Sequence, residues 1–155
     1  SIRKTERIEE GGRVMTREPI RFHFDVDGEN FSSAGEASVV IKKKLRQLGF
    51  SPEIIRRVSI AMYEGEINMV IHASGGVADV SVTDAYIELV LADHGPGIPD
   101  VDLAMQEGYS TARENIRALG FGAGMGLPNM KKYTDYMHID TTVGVGTTVT
   151  MRVDI

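Results

Sequence analysis

The sequence contains no cysteine among its 155 residues, so disulfide bonds and thiolate metal sites are excluded. It also has no apolar run near the roughly 20 residues that a membrane-spanning helix needs. The residues after Ser1 do not form a signal-peptide pattern. We therefore expect no membrane partner, and the cytoplasm is the default compartment.

An excess of basic residues is also missing. The 17 lysines and arginines are outnumbered by 22 aspartates and glutamates, which gives a net charge of −5. Because nucleic-acid binding depends on a basic face that displaces counterions, this balance argues against a nucleic-acid partner. The hydrophobic fraction of 42% and the charged fraction of 25% are ordinary for a globular domain, and the length fits a single one.

The chain divides into a short leader and one domain. Residues 1–16, SIRKTERIEEGGRVMT, alternate in charge, and we expect a flexible leader there, with a short helix as the alternative. Residues 17–155 are expected to form one domain. Hydrophobic periodicity predicts strands at 20–26, 77–84, 85–93, 137–142 and 147–154, and helices at 32–48, 52–73, 101–107 and 127–136. This order predicts an α+β fold, a two-layer sandwich with helices on one face of a mixed, mainly antiparallel sheet.

The stretch ALGFGAGMGLPNM places four glycines at alternating positions just before a predicted helix: Gly120, Gly122, Gly124 and Gly126. It fits neither common phosphate-binding pattern. No Lys-Ser or Lys-Thr pair follows the glycines, and Leu127 occupies the third glycine position of G-x-G-x-x-G. The backbone N–H groups of such a loop can point at an anion, and the following helix adds its N-terminal dipole. Taken alone, the stretch is equally well a flexible surface loop.

Polar side chains recur on one face of the long predicted helix. Glu64, Asn68 and His72 are spaced four residues apart, so they stack within reach of one another. Polar groups beside apolar neighbours need partners, but a solvated stripe with a fortuitous contact remains the alternative. Gly65 inside the helix costs about 1 kcal/mol relative to alanine, which indicates that something packs closely there.

Two further segments combine a polar side chain with a turned backbone. LVLADHGPGIPD places Asp93 at the end of an apolar strand, where its carboxylate can accept a hydrogen bond from an exocyclic amino group such as that of adenine. Gly97 would let a planar base approach the main chain, and an ordinary strand-to-loop turn is the alternative. VGVGTTVTMRV sets a glycine turn before a strand that starts at Thr147 and Thr148, and a plain hairpin is its alternative.

The four segments follow one another as E-x-x-x-N, D-x-G-x-G, G-x-G-x-G and G-x-G-T. This ordered set resembles the ATP-binding signature of the GHKL superfamily, which includes histidine kinases, gyrase, Hsp90 and MutL, and the resemblance covers residues 20–155. Within the superfamily the chain is similar to the small anti-sigma-factor and switch serine/threonine kinases, on the segments YEGEINMVIHA, DHGPGIPDVDLAMQEGYST, GAGMGLPNMKKYTDYMHID and GVGTTVTM. The resemblance implies a Bergerat-type ATP-binding fold.

The resemblance also implies ATP and Mg²⁺ as cofactors. Asn68 would coordinate the Mg²⁺ ion, and Glu64 would be the general base. Asp93 would accept from the adenine amino group, Thr148 would add a hydroxyl near the base, and residues 110–119 would form the mobile part of a lid. The residues expected to contact the nucleotide are Asn68, Asp93, Gly95, Gly97, Ile98, Ser110, Thr111, Gly122, Ala123, Gly124, Met125, Gly126, Leu127 and Thr148. For His72 a structural role is favoured over a place in the site.

One position departs from the family's pattern. Many anti-sigma kinases carry an arginine just before the glycine run, where it suits the γ-phosphate charge, and this sequence has Phe121 and Gly122 there. Arg113 and Arg117 lie further back. We expect Arg117 to fold over the phosphate.

The function that the resemblance implies is an ATP-dependent serine/threonine protein kinase. Its substrate would be a small anti-sigma-antagonist-like (STAS-like) protein, with a sigma factor or another regulator as a further partner and a homodimer as the default oligomer. Two alternatives remain. One is a nucleotide-gated protein-binding module without productive phosphotransfer. The other is a catalytic-domain fragment of a histidine kinase, which would need an upstream helix pair that residues 1–16 are too short to supply.

Overall fold

The structure, a computed structural model, describes residues 6–10, 13–106 and 126–155. Its strands are β1 (Glu6–Glu10), β2 (Arg13–Arg17), β3 (Ile20–Asp27), β4 (Gly75–Val82), β5 (Tyr86–Ala92), β6 (Tyr136–Thr142) and β7 (Gly146–Asp154). Its helices are α1 (Glu36–Gln47), α2 (Pro52–Ala73), α3 (Val101–Ala104) and α4 (Gly126–Lys132). None of the helices in the described part combines the length and apolar character that a membrane span requires.

Five strands form one open sheet in the order β3-β4-β5-β7-β6. Every neighbouring pair among these described strands runs antiparallel, so the mainly antiparallel sheet is confirmed and no parallel pair accompanies it there. The register sets Val80 opposite Leu89 and Leu89 opposite Met151, and all three side chains are buried. Since side chains alternate along a strand, these residues form a row on one face of the sheet.

The helices cover that face and form a single core with it. Ile41 and Leu45 from α1, Val58 from α2 and Met130 from α4 are fully buried in the same cluster as the strand residues. The other face carries polar side chains, such as His23, which is hydrogen-bonded to the Asp79 carboxylate at 2.6 Å. One packed face and one polar face are usual for an antiparallel sheet. The predicted α+β arrangement with helices on one face is confirmed.

Helix α2 begins and ends where its local signals predict. The Ser51 hydroxyl accepts a hydrogen bond from the Ile54 N–H at 3.3 Å, and Pro52 occupies the first helical position. The helix ends at Ala73, after which Ser74 adopts a left-handed conformation with φ of 61°. Since β4 begins at Gly75, the C-terminal end of α2 is held next to the first residues of β4.

Helix α1 begins later than the sequence predicts. Ser32 and Ser33 lie in a 3-10 turn, and the α-helix starts at Glu36. The Asn30 side chain causes the difference, because its Oδ1 accepts from the Ser32 N–H at 3.1 Å and from the Ser32 hydroxyl at 2.6 Å. Such a local bond stabilises a turn in place of a helical start.

The described residues of the leader do not form the short helix offered as an alternative. Its described residues form β1 and β2, which pair antiparallel with Glu6 opposite Arg17 and Glu10 opposite Arg13. This pair makes a two-stranded sheet separate from the main one. The division into a flexible leader and a domain over 17–155 stays a prediction.

Candidate functional site

The polar stripe of α2 faces other elements rather than open solvent. Glu64, Asn68 and His72 are each half-buried. Burial lowers the pKa of His72 below its ordinary value of 6.5, and the nearby Asp93 carboxylate opposes this effect. The neutral imidazole is therefore favoured, and the end of the stripe lies close to the residues that follow β5.

Helix α4 lies along this stripe and runs in the opposite direction to α2. The contacts pair residues that advance along α2 with residues that go back from Tyr133, just after α4, to its start: Arg57 with Tyr133, Glu64 with Asn129, and Asn68 with Gly126. Asn129 Nδ2 donates to Glu64 Oε2 at 2.8 Å, and Arg57 Nε donates to the Tyr133 carbonyl at 3.1 Å. A β-carbon at Gly126 would lie 3.8 Å from Asn68 Oδ1. The start of α4 is thus adjacent to Asn68.

Gly65 owes its place to packing inside the chain. A β-carbon at this position would lie 2.5 Å from Leu91 Cδ2 and 3.6 Å from the Met130 sulfur. Both neighbours are buried in the core. The absent side chain lets α2 approach the sheet and α4, so the close packing predicted at Gly65 is confirmed, and its neighbours belong to the chain itself.

Asp93 sits at the end of β5 with one carboxylate oxygen already occupied. Its Oδ1 accepts from the Gly95 N–H at 2.9 Å and from the Thr147 N–H at 3.2 Å. The Asp93 N–H in turn donates to the Thr147 carbonyl at 2.9 Å. The carboxylate is therefore fixed against β7, and its other oxygen takes no part in these bonds.

Gly97 is required by the turn between β6 and β7. Its φ of +80° is strained for other residues, and a β-carbon would lie 2.6 Å from the Thr142 carbonyl oxygen and 2.8 Å from Val143 Cα. The neighbouring Ile98 N–H donates to Thr141 Oγ1 at 2.9 Å. The loop after β5 is thereby held against this turn. Whether Gly97 also contacts a base stays a prediction.

The threonine beside Asp93 is Thr147 and not Thr148. The buried residues Val149 and Met151 mark the face of β7 that meets the helices, and the period of two places Thr147 on that face and Thr148 on the other. Thr147 also bonds through its hydroxyl to Thr141 Oγ1 at 2.8 Å. The structure thus does not bring Thr148 to Asp93. The sequence GTTVTMRV could have indicated this, because its apolar residues Val149 and Met151 share the alternation of Thr147 and not that of Thr148.

The other predicted site residues divide into two groups. Gly126 opens α4, and Leu127 is buried in the core, 7% exposed, where it anchors that helix. The remaining ones lie outside the described residues: Ser110, Thr111, Arg117, Gly122, Ala123, Gly124 and Met125. Asn129 was missed by the sequence analysis, since its pairing with Glu64 spans 65 residues and leaves no local pattern.

A family model described as the histidine kinase-like ATPase domain matches residues 29–153. The chain belongs to this family. The matched segment begins just after β3 and contains Glu64, Asn68, Asp93 and Thr147. A histidine kinase-like ATPase domain uses ATP, so membership of this family supports ATP as the nucleotide of this chain.

Relatives of two kinds share much of the sequence. The anti-sigma F factor of Priestia megaterium is 31% identical over 123 residues, which cover 75% of this chain and 80% of that protein. The serine/threonine-protein kinase RsbT of Bacillus subtilis strain 168 is 30% identical over 108 residues, which cover 67% of this chain and 75% of that protein. The chain therefore belongs to the anti-sigma kinase branch of the histidine kinase-like ATPase family.

Among solved structures, the mycobacterial sensor histidine kinase MprB has a similar fold. It superposes with a TM-score of 0.50 at 16% identity, over 87% of this chain and 97% of that one. This likeness concerns the fold alone. It agrees with helices packed on one face of a five-stranded antiparallel sheet.

Proposed function

We propose that this chain is an ATP-dependent serine/threonine protein kinase of the anti-sigma type. It transfers the γ-phosphate of ATP to a serine or threonine of a small STAS-like antagonist protein. One observation carries the proposal. Within an ATPase-family domain, the Glu64 carboxylate accepts a hydrogen bond from Asn129 and lies one helical turn before Asn68, so it would serve as a base next to a residue that would hold magnesium.

The adenine is assigned to the end of β5. Asp93 uses Oδ1 for two backbone N–H groups, and its second oxygen would accept from the exocyclic amino group. Thr147, fixed against Asp93, replaces Thr148 as the residue that adds a hydroxyl near the base. Gly95, Gly97 and Ile98 would line the adjacent loop. Because a carboxylate accepts from an amino group and repels a carbonyl, it would favour adenine over guanine or hypoxanthine.

The phosphates are assigned to the region where α2 meets the start of α4. Asn68 fits a magnesium ligand, since its amide oxygen is a hard donor and Mg²⁺ takes few protein ligands while keeping its waters and phosphate oxygens. The bound ion would neutralise the charge that develops on the phosphates. From the sequence, Ser110 and Thr111 would contact the nucleotide, the run Gly122, Ala123, Gly124, Met125, Gly126 and Leu127 would surround the β- and γ-phosphates, and Arg117 would reach the γ-phosphate.

Glu64 would act on the protein substrate. Its carboxylate would accept a hydrogen bond from the serine or threonine hydroxyl and take the proton as that oxygen attacks the γ-phosphorus. A new oxygen–phosphorus bond then forms on the substrate, the bond to the β–γ bridging oxygen breaks, and ADP leaves.

The partner class follows from the relatives' names. One relative is named as an anti-sigma factor and another as a serine/threonine kinase. Both names support a regulator whose protein complexes change with phosphorylation. We propose the antagonist protein as substrate, a sigma factor or similar regulator as a second partner, and a homodimer as the working oligomer.

Capture followed by phosphosite mapping tests this function. The chain is loaded with Mg²⁺ and either ATP or ADP, used to capture proteins from the source cells, and incubated with ATP before mass spectrometry. We expect phosphate on a serine or threonine of a small captured protein. Asn68→Ala should abolish ATP binding and transfer, whereas Gln47→Ala, which removes an exposed amide on α1, should leave both unchanged. Nucleotide-dependent capture without any phosphate would favour the nucleotide-gated module instead.

A further inference from the structure

On the basis of the proposed kinase function, we infer that Asn129 is a positioning residue for the base. Its side-chain amide holds the Glu64 carboxylate in the orientation that receives the substrate's hydroxyl. Asn129 lies on α4, whereas Glu64 lies on α2, so two elements that are distant in sequence build the reactive geometry together.

The hydrogen bond between the two side chains is short and has one chemically permitted direction. The distance from Asn129 Nδ2 to Glu64 Oε2 is 2.8 Å, which is in the range of charge-assisted bonds. An ionised carboxylate only accepts, so the amide nitrogen and not the amide oxygen must face it. The bond uses Oε2 and does not use Oε1, which is the oxygen that would meet the incoming hydroxyl.

The amide donor comes from a fixed backbone. Leu127 and Met130, on either side of Asn129, are 7% and 0% exposed, and the far end of α4 is tied to α2 by the bond from Arg57 to the Tyr133 carbonyl. Glutamate has several rotatable bonds, and a half-buried carboxylate with no fixed donor would occupy several rotamers. A donor on a packed helix selects one of them, as a positioned site requires.

Two substitutions distinguish the effect of the Asn129 hydrogen-bond donor from the effect of its side-chain volume. Asn129→Ala removes the amide, and Asn129→Leu removes it while keeping a similar size. We expect either change to slow single-turnover phosphotransfer about tenfold, as the loss of one oriented hydrogen bond predicts. The ATP dissociation constant and the KM for the protein substrate should stay within about twofold of the original chain.

Opposite results would overturn the inference. Recovery of the original rate in Asn129→Leu but not in Asn129→Ala would assign the effect to packing. A loss of ATP affinity equal to the loss of rate would assign Asn129 to the nucleotide. An unchanged rate in both variants of an otherwise active kinase would remove the positioning role and leave the proposed function intact.

A double variant tests whether Asn129 acts through Glu64. The rate of Glu64→Gln is compared with that of Glu64→Gln combined with Asn129→Ala, at enzyme concentrations that measure the residual transfer. Because the amide acts only on the carboxylate, the second substitution should cost no further rate. A further tenfold loss would contradict the inference. If the original chain transfers no phosphate at all, the proposed function fails and the positioning role fails with it.

Discussion

At the scale of residues, the two carboxylates of the proposed site, Asp93 and Glu64, are arranged in the same way. Asp93 is fixed through Oδ1 by two backbone N–H groups, and Glu64 is fixed through Oε2 by the Asn129 amide. In each case one oxygen orients the group and the other is assigned to a ligand. Groups held in this way need little reorganisation when the ligand arrives.

Asp93→Asn tests the adenine assignment. Asparagine keeps an acceptor for the Gly95 and Thr147 N–H groups but replaces the second oxygen with an NH₂ donor, which faces the amino group of adenine. We expect ATP affinity to fall about tenfold or more. Affinity for inosine triphosphate, which carries a carbonyl at that position, should fall much less. Competition against a fluorescent nucleotide measures both dissociation constants.

The control for this substitution is Asp140→Asn, at an exposed position on β6. It removes the same charge at a distance from the proposed adenine position. The affinities for ATP and for inosine triphosphate should therefore stay unchanged. If Asp93→Asn lowered the affinities for ATP and for inosine triphosphate equally, Asp93 would support the loop after β5 and would not distinguish adenine from hypoxanthine.

At the scale of elements, α2 contacts two other helices through opposite faces. Glu64 faces α4, and Glu66 lies roughly 200° around the helix axis and faces α1. The Glu66 carboxylate is 2% exposed and accepts backbone N–H bonds from Gly35 at 3.0 Å, Ala37 at 3.1 Å and Ser38 at 2.9 Å. It therefore caps the start of α1 from a neighbouring helix, where Gly35 offers no side chain.

Glu66 should make stability depend on pH. Burial raises its pKa above the ordinary value of 4.5, although the three N–H donors oppose this effect. The folded chain then holds the proton more tightly than the unfolded chain. Its contribution to stability is full at low pH and is lost as pH rises through the raised pKa. We expect the native chain to lose stability relative to Glu66→Gln as pH rises above 4.5 and through the raised pKa.

Urea unfolding of the two proteins across this range measures the difference. A stability gap that stays constant would show that the N–H donors balance burial, and one that moves in favour of the native chain as pH rises would show that they outweigh it. Glu66→Ala, which leaves three donors without an acceptor, should cost about 3 kcal/mol at the acid end of this range and less as the native chain loses stability with rising pH.

The loop after β5 should depend strongly on Gly97. Gly97→Ala puts a β-carbon against the Thr142 and Val143 backbone at a φ of +80°, and we expect a cost of about 2 kcal/mol or more together with weaker ATP binding. Gly144 is the matched control, since its φ is +82° and a β-carbon there meets nothing within 4 Å. Gly144→Ala should cost only the conformational term, about 1 kcal/mol. Equal unfolding free energies for the two variants would contradict the steric account.

At the scale of the whole molecule, the sequence predicts most features with local causes and misses those with distant ones. The Asn30 turn before α1 is a local feature that was missed. The bounds of α2 follow from Ser51 and Pro52, which act within one turn. The start of α1 depends partly on Glu66, and the orientation of Glu64 depends on Asn129, a pairing across 65 residues. Thr147 is an intermediate case. The alternation along β7 contains the answer, but only the register with β5 places that residue next to Asp93.

The central claim is phosphotransfer through Glu64, and one measurement tests it most directly. The rate at which γ-phosphate appears on a serine or threonine of the protein partner is compared between the original chain and Glu64→Gln, with ATP affinity measured on both. The account predicts steady transfer by the original chain, a loss of about a hundredfold or more in Glu64→Gln, and equal ATP binding by the two. Tight ATP binding by the original chain without transfer, or transfer that survives Glu64→Gln undiminished, would contradict it.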